Sequence, residues 1–181
     1  EVSVTNSLVG SRTNDNVGLN GVTALSNGNY VVVSRWWNSS AAARVGAVTW
    51  GNGTEATGAV VSEANSLVGS TASDQVGGLG VTALSNGHYV VISSQWDKAG
   101  IADAGAVTWG NGATAGPRTK GEITPGNSLV GSQANDQVGN NGVTALGNGH
   151  YAVGSSLWDN GVVSNAGALT WGNGEGGIAG A

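Results

Sequence analysis

The chain has 181 residues, of which 33 are Gly and only 9% are charged, with a formal net charge of −5 and no Cys, Met or Phe. Its six cations (Arg12, Arg35, Arg44, Lys98, Arg118, Lys120) are scattered, which excludes the clustered basic surface that nucleic-acid binding requires. No apolar run approaches the roughly 18 residues of a membrane-spanning helix, glycine without a triplet period excludes collagen, and the absence of Cys leaves the redox compartment open.

One stretch recurs from Asn6, Asn65 and Asn127. In every copy 29 residues separate the Leu of the opening motif from the first shared Trp (Leu8 to Trp37, Leu67 to Trp96, Leu129 to Trp158), and 13 separate that Trp from the next (Trp50, Trp109, Trp171). Equal spacing implies equal backbone, because one inserted residue in a strand sends every later side chain to the other face. The period is 59 residues from Leu8 to Leu67 and 62 from Leu67 to Leu129, the longer connector running over 116–126. The sequence therefore reads as one repeat domain, 1–181, with units 6–64, 65–126 and 127–181.

Each copy predicts four short strands. The first is Asn-Ser-Leu-Val-Gly-Ser with the residues before it, such as Ala59 to Ser62, and the second is Gly-Val-Thr-Ala-Leu. The third begins at Tyr30, Tyr89 or Tyr151, and the fourth is Gly-Ala-Val-Thr-Trp, with Leu for Val in the last copy. β-Branched residues, Gly punctuation and the lack of a helical period all favour strands. Asn27-Gly28, Asn86-Gly87 and Asn148-Gly149 join the second strand to the third. They predict type I′ hairpins that would pair Leu25 with Tyr30. The third strand is apolar on both faces, with Val31 and Val33 on one and Tyr30 and Val32 on the other, so both faces are expected to be covered. The fold expected is all-β: three tandem repeats, each a four-stranded antiparallel β-propeller-like blade. A threefold β-prism or β-trefoil is the alternative.

The order Leu-Val-Gly-Ser, Asp-x-Val-Gly, hairpin, Tyr-Val-Val, Gly-Ala-Val-Thr-Trp-Gly resembles the FG-GAP repeat of integrin alpha-chain β-propellers. Asp74-Gln-Val-Gly77 stands where that family has Phe-Gly, and Ser93-Ser-Gln-Trp96 where it has Gly-Ala-Pro. The chain is also similar to repeats of this length in very large bacterial surface proteins of the filamentous-haemagglutinin type. The integrin-like repeat often holds calcium in an Asp-rich loop between its second and third strands. Here that loop is Ser26-Asn-Gly-Asn29, Ser85-Asn-Gly-His88 or Gly147-Asn-Gly-His150. It offers no carboxylate, which calcium needs, so no cofactor is expected and calcium is not carried over.

Three blades do not close a ring, since propellers have about 4 to 8. The N-terminal strand, within 1–11, is an expected complement to the C-terminal unit of the same or another chain. The sequence, starting at Glu1 without Met, reads as a processed product or an excised piece. Expected partners are therefore other copies of the chain, as a homo-oligomer or filament, or neighbouring repeats of a longer chain.

Candidate site residues are aromatic. Trp37, Trp96 and Trp158, followed by Asn38, Asp97 and Asp159, read either as platforms that stack on and hydrogen-bond a sugar or as packing between units. Trp36 has Gln95 and Leu157 at its position in the other copies, which makes it the contact candidate outside the repeat pattern. Trp50, Trp109 and Trp171 read as core or blade-edge packing. Asp15, Asp74 and Asp136 share one repeat position and read as Asx turns or a cation site. His88 and His150 read as turn-flanking residues or as a metal or base pair. There is no Cys nucleophile, no Gly-x-Ser-x-Gly and no metal-ligand cluster, so catalytic residues and metal ligands are not expected. The reading is a non-enzymatic structural or adhesive module at a bacterial surface or outside the cell, with a repeated-site glycan-binding module as alternative.

Overall fold

A computed structural model describes the whole chain, residues 1–181. It has fourteen strands and no helix. In order these are β1 (Leu8–Val9), β2 (Val22–Ala24), β3 (Tyr30–Ser34), β4 (Ala47–Gly51), β5 (Ala59–Val60), β6 (Ser66–Val68) and β7 (Val81–Ala83). There follow β8 (Tyr89–Ser93), β9 (Ala106–Gly110), β10 (Gly121–Glu122), β11 (Leu129–Val130), β12 (Val143–Ala145), β13 (Tyr151–Ser155) and β14 (Ala168–Gly172).

The strands form separate small sheets that do not close into a barrel, with orders β10-β6-β4-β3-β2, β11-β9-β8-β7 and β12-β13-β14, plus the pair β1-β5. Within each sheet the second, third and fourth predicted strands pair antiparallel as a meander. The opening motif, however, belongs to the sheet before it. β6 pairs antiparallel with β4, setting Thr49 opposite Ser66, and β11 pairs antiparallel with β9. The expected first strand also divides in two. Residues 59–60 and 121–122 run parallel to the preceding opening motif (β5 on β1, β10 on β6), and Gly180 bridges Leu129 in the same way. Between the two halves Asn65 makes a turn, its Oδ1 accepting from Ser62 N and its amide donating to the Val60 carbonyl. The first two sheets so reach four antiparallel strands, and the third stops at three.

The hairpins differ from expectation. Ala24, not Leu25, sits opposite Tyr30. Gly28 N donates to Leu25 O, Leu25 N donates to Asn29 O, and only Gly28 has positive φ, at 87°. That fits a three-residue loop, a type I turn closed by one left-handed glycine, in place of type I′, which needs positive φ at both central residues.

The core lies between sheets. Val31 and Val33 of β3 pack with Tyr89 and Val91 of β8 around Leu67, Val76 and Trp96. Val90 and Ile92 on the other face of β8 pack with Tyr151 and Val153 of β13. The two-faced apolar strand is thus covered on both sides in the middle sheet, where every residue of β8 is buried. A third cluster joins Trp37, Val45 and Ala47 to Val61 and Val68 at the outer edge of the first sheet.

Candidate functional site

Hydrogen bonds to the backbone link each repeated Asp to the residue after a Trp. Asp74 is flanked by Ser73 and Gln75 in left-handed conformation (φ 72° and 46°), an uncommon state for side chains with a Cβ. Its carboxylate holds that bend: Oδ2 accepts from Ser70 N and Thr71 N, and Oδ1 accepts from Asp97 N, the residue after Trp96. Asp97 passes the restraint on by accepting from Asp103 N at 2.8 Å. Asp136 and Asp159 repeat the arrangement with Asn165 N, and Asp15 and Asn38 repeat it with Arg44 N. The Asp side chains therefore reach back to N–H groups three and four residues earlier, where a simple Asx turn would reach forward.

The first and middle knots titrate in opposite directions. Burial pushes Asp74 up, more than its hydrogen bonds from Thr71, Asp97 and Ser70 draw it down, and the Asp97 carboxylate adds to the rise. Burial also pushes on Asp15, but there the Asn38 amide and the Arg12, Asn38 and Ser11 N–H groups outweigh it and hold the group below its ordinary value. Asn in place of Asp at 38 removes a like charge and adds a donor.

Trp37 and Trp96 are 5% and 3% exposed, and their indole N–H groups are buried without an acceptor. Neither can offer a face or a donor to a sugar, so the platform reading is corrected to core packing at these two positions. The cause is the opening-motif strand, which lays Val68 over Trp37 and Val130 over Trp96. Trp158 is half-buried, beside an open recess of about 210 Å³ that it lines with Val138, Ala168 and Thr170. Trp36 is half-buried between Arg35 and Arg44, whose guanidinium carbons lie 5.3 and 5.4 Å from its ring. It lines a groove with Asn14, Asn16 and Asn38. The candidates are thus dispersed over separate units and converge on no single pocket.

His88 accepts from Gly112 N through Nδ1 at 3.2 Å, and His150 accepts from Gly174 N at 3.1 Å. Asn29 does the same for Gly53 N at 3.2 Å. Each ties one Asn-Gly turn to the other. Burial lowers the His88 pKa against a small opposing pull from Glu175, in keeping with a neutral acceptor nitrogen. No group of three or more His, Asp or Glu side chains is close enough to hold a metal ion.

What repeats with direction is a set of hydrogen bonds between sheets. From the first unit, the Asn27 amide donates to the Gly87 and Gly112 carbonyls, the Asn29 amide to Gly112, Ser26 Oγ to the Ser85 carbonyl, and Trp50 Nε1 to Gly112 at 3.0 Å. From the second, the Asn86 amide and Trp109 Nε1 both donate to the Gly174 carbonyl at 2.9 Å. Every donor sits on the earlier unit and every acceptor on the later one. Arg118, from the longer connector, covers Trp50 with its guanidinium 3.4 Å from the ring centroid. Within each unit the acceptor glycine sits against the hairpin turn: a Cβ at Gly53, Gly112 or Gly174 would overlap the carbonyl of Gly28, Gly87 or Gly149, and at Gly112 it would also crowd Leu25 of the earlier unit. Sequence reasoning missed this ladder. Its signal was present in the Asn-Gly pairs, which look like turns alone until the partner strand is known.

The ladder predicts unequal Trp substitutions. Trp109→Phe removes a partly buried N–H···O bond and is expected to cost about 1 kcal/mol beyond the lost ring area. Trp171→Phe, at a ring 55% exposed with no acceptor, is expected to cost close to nothing in the isolated chain. Urea unfolding of both variants checks this, and equal losses would refute the directional bond.

A family model described as a repeat of unknown function (DUF5650) matches residues 1–19, 24–78, 83–140 and 145–181. The chain belongs to this repeat family. The two long DUF5650 segments, 24–78 and 83–140, each start in the second strand of one copy and run through the opening motif of the next, which is the grouping of strands that the sheets adopt. The DUF5650 match carries the repeat organisation, and says nothing of the integrin-like or haemagglutinin-type resemblance. No curated protein and no solved structure matches the chain.

Proposed function

We propose that this chain is a non-enzymatic structural and adhesive module of a bacterial extracellular or cell-surface protein. Its units act as propeller-like blades, packing face to face and lending a strand to the unit before. The observation that carries the reading is the one-way ladder: each internal interface uses the same donors on one unit and the same acceptor carbonyls on the next. A surface of Asn, Ser, Thr and Gly with few charges supports a place outside the cell, and the FG-GAP resemblance of the strand order supports adhesion. Light scattering coupled to size exclusion tests the assembling role. Species heavier than one 17.7 kDa chain, growing with concentration, are expected, and a monomer at every concentration would overturn it.

A second reading, glycan binding, is favoured by one observation. Trp36 stands outside the repeat pattern and lines a groove with three Asn side chains and Arg44, a donor-rich setting of the sort that sugars use. Trp fluorescence titrated with a broad sugar panel tests it. A response abolished by Trp36→Ala supports binding there, and silence across the panel removes it.

A further inference from the structure

The first and third units present complementary outer faces. On the third unit the outer edge of β14 has no partner strand. Leu169 is 81% exposed, whereas Val48 and Val107 at its position are buried in the first two units. Thr170 lacks the Ser hydroxyl that Thr49 and Thr108 find at 2.7 Å in Ser66 and Ser128. The recess beside Trp158 lies where Val68 and Val130 cover Trp37 and Trp96.

Residues 1–9 present the matching groups, already folded. Asn6 makes the same turn as Asn65 and Asn127, with Oδ1 accepting from Ser3 N and the amide donating to the Glu1 carbonyl. Val2, equivalent to Val61 and Ile123, is 80% exposed where they are 2%. β1 is paired on one edge only, to β5, whereas β6 is paired on both. On the first unit the acceptor glycines Gly28 and Gly53 are exposed, while their counterparts Gly87, Gly112, Gly149 and Gly174 are buried.

We propose, resting on the assembling role above, that the third unit is covered by the first unit of a second copy of this chain, in the register of the internal interfaces. β1 of the second copy lies antiparallel along β14, with Ser7 opposite Thr170 as Ser66 is opposite Thr49. Its Val2 and Val9 fill the Trp158 recess. Trp171 Nε1 and the Asn148 amide donate to its Gly53 carbonyl, as Trp109 and Asn86 donate to Gly174. The contact is head-to-tail, so it closes into a ring or extends as a fibre according to the rotation it imposes.

The chain has no Cys, so single cysteines report the register cleanly. Ser7→Cys and Thr170→Cys proteins, each at a half-buried position, are mixed and oxidised. Directly opposed strand residues lie within the Cα separation a disulfide tolerates, and a Thr49→Cys, Ser66→Cys double variant serves as the internal standard for that geometry. A covalent dimer that requires both single variants is expected. Val2→Asp, which would place an unpaired carboxylate in an apolar recess, is expected to weaken self-association about tenfold or more. If the standard oxidises and assemblies form, but the mixture gives no specific dimer and Val2→Asp leaves association unchanged, the register is wrong and the assembling role stands. If no assembly forms at any concentration, both fall. A Ser7→Cys, Thr170→Cys double variant that closes only within one chain also overturns the proposal, since the occupant would then be the chain itself.

Discussion

Asp74→Ala is expected to destabilise the chain by about 3 kcal/mol, because three backbone N–H groups lose a shared acceptor and the left-handed bend at Ser73 and Gln75 loses its restraint. The substitution cuts the link between the opening motif and the segment after Trp96, so the loss spreads to the core that Trp96 fills. Asp74→Asn keeps one oxygen and is expected to lose less. Urea unfolding of the two variants measures both, and a loss under about 1 kcal/mol for Ala would show that the knot is held by packing instead. The pH dependence separates the knots further. The pKa of Asp74 is raised in the folded chain from 3.8, so its folded form binds the proton more tightly, and its contribution to stability declines as pH rises from 3.8 through the folded value. The pKa of Asp15 is lowered, so its contribution is present above 3.8 and is lost as pH falls through its folded value. Carboxyl carbon shifts followed by NMR are expected to place the two midpoints on opposite sides of 3.8.

Gly110→Ala is expected to cost about 3 kcal/mol, through overpacking against a ring that cannot yield. The Tyr89 ring lies against Gly110, and an added Cβ would overlap its Cζ and Cε2. Tyr89 is 1% exposed and belongs to the cluster between the first two sheets. The same pairing sets Tyr30 on Gly51 and Tyr151 on Gly172, which explains why Gly follows the second Trp of every copy. A double-mutant cycle with Tyr89→Leu checks the cause. The alanine is expected to cost at least about 1 kcal/mol less in the Leu background, and additivity would show that the ring is not the obstacle.

Much of this was legible in the chain itself. The Tyr after each Asn-Gly turn located β3, β8 and β13, and the unbroken apolar run Val31, Val32 and Val33, which leaves no polar side, called for cover on both faces, met in full by β8. Local chemistry was less decisive. Asn-Gly announced each hairpin, but Ser26 joins the turn, so the loop is three residues long and the register moves by one. Pairing across copies was not legible from pattern. The strand Ser66–Val68 has the same apolar sequence whether it completes its own unit or the one before, and only partner geometry decides. Burial of the tryptophans depended on that same choice. Spacing treats Trp37, Trp96 and Trp158 alike, yet the first two are sealed by a strand from the following copy and the third is not.

The lent strand also bears on how such a chain changes length. A sheet drawn from two consecutive copies has no natural cut in the gene, because any stretch of one full period, wherever it starts, carries one complete set of donors, acceptors and lent residues. Deleting or duplicating such a stretch rejoins surfaces that already fit. In a stack where each unit meets only its neighbours, stability then changes by roughly one unit and one junction at a time. Length then changes in whole units, while the Asn and Trp donors of each joint are kept.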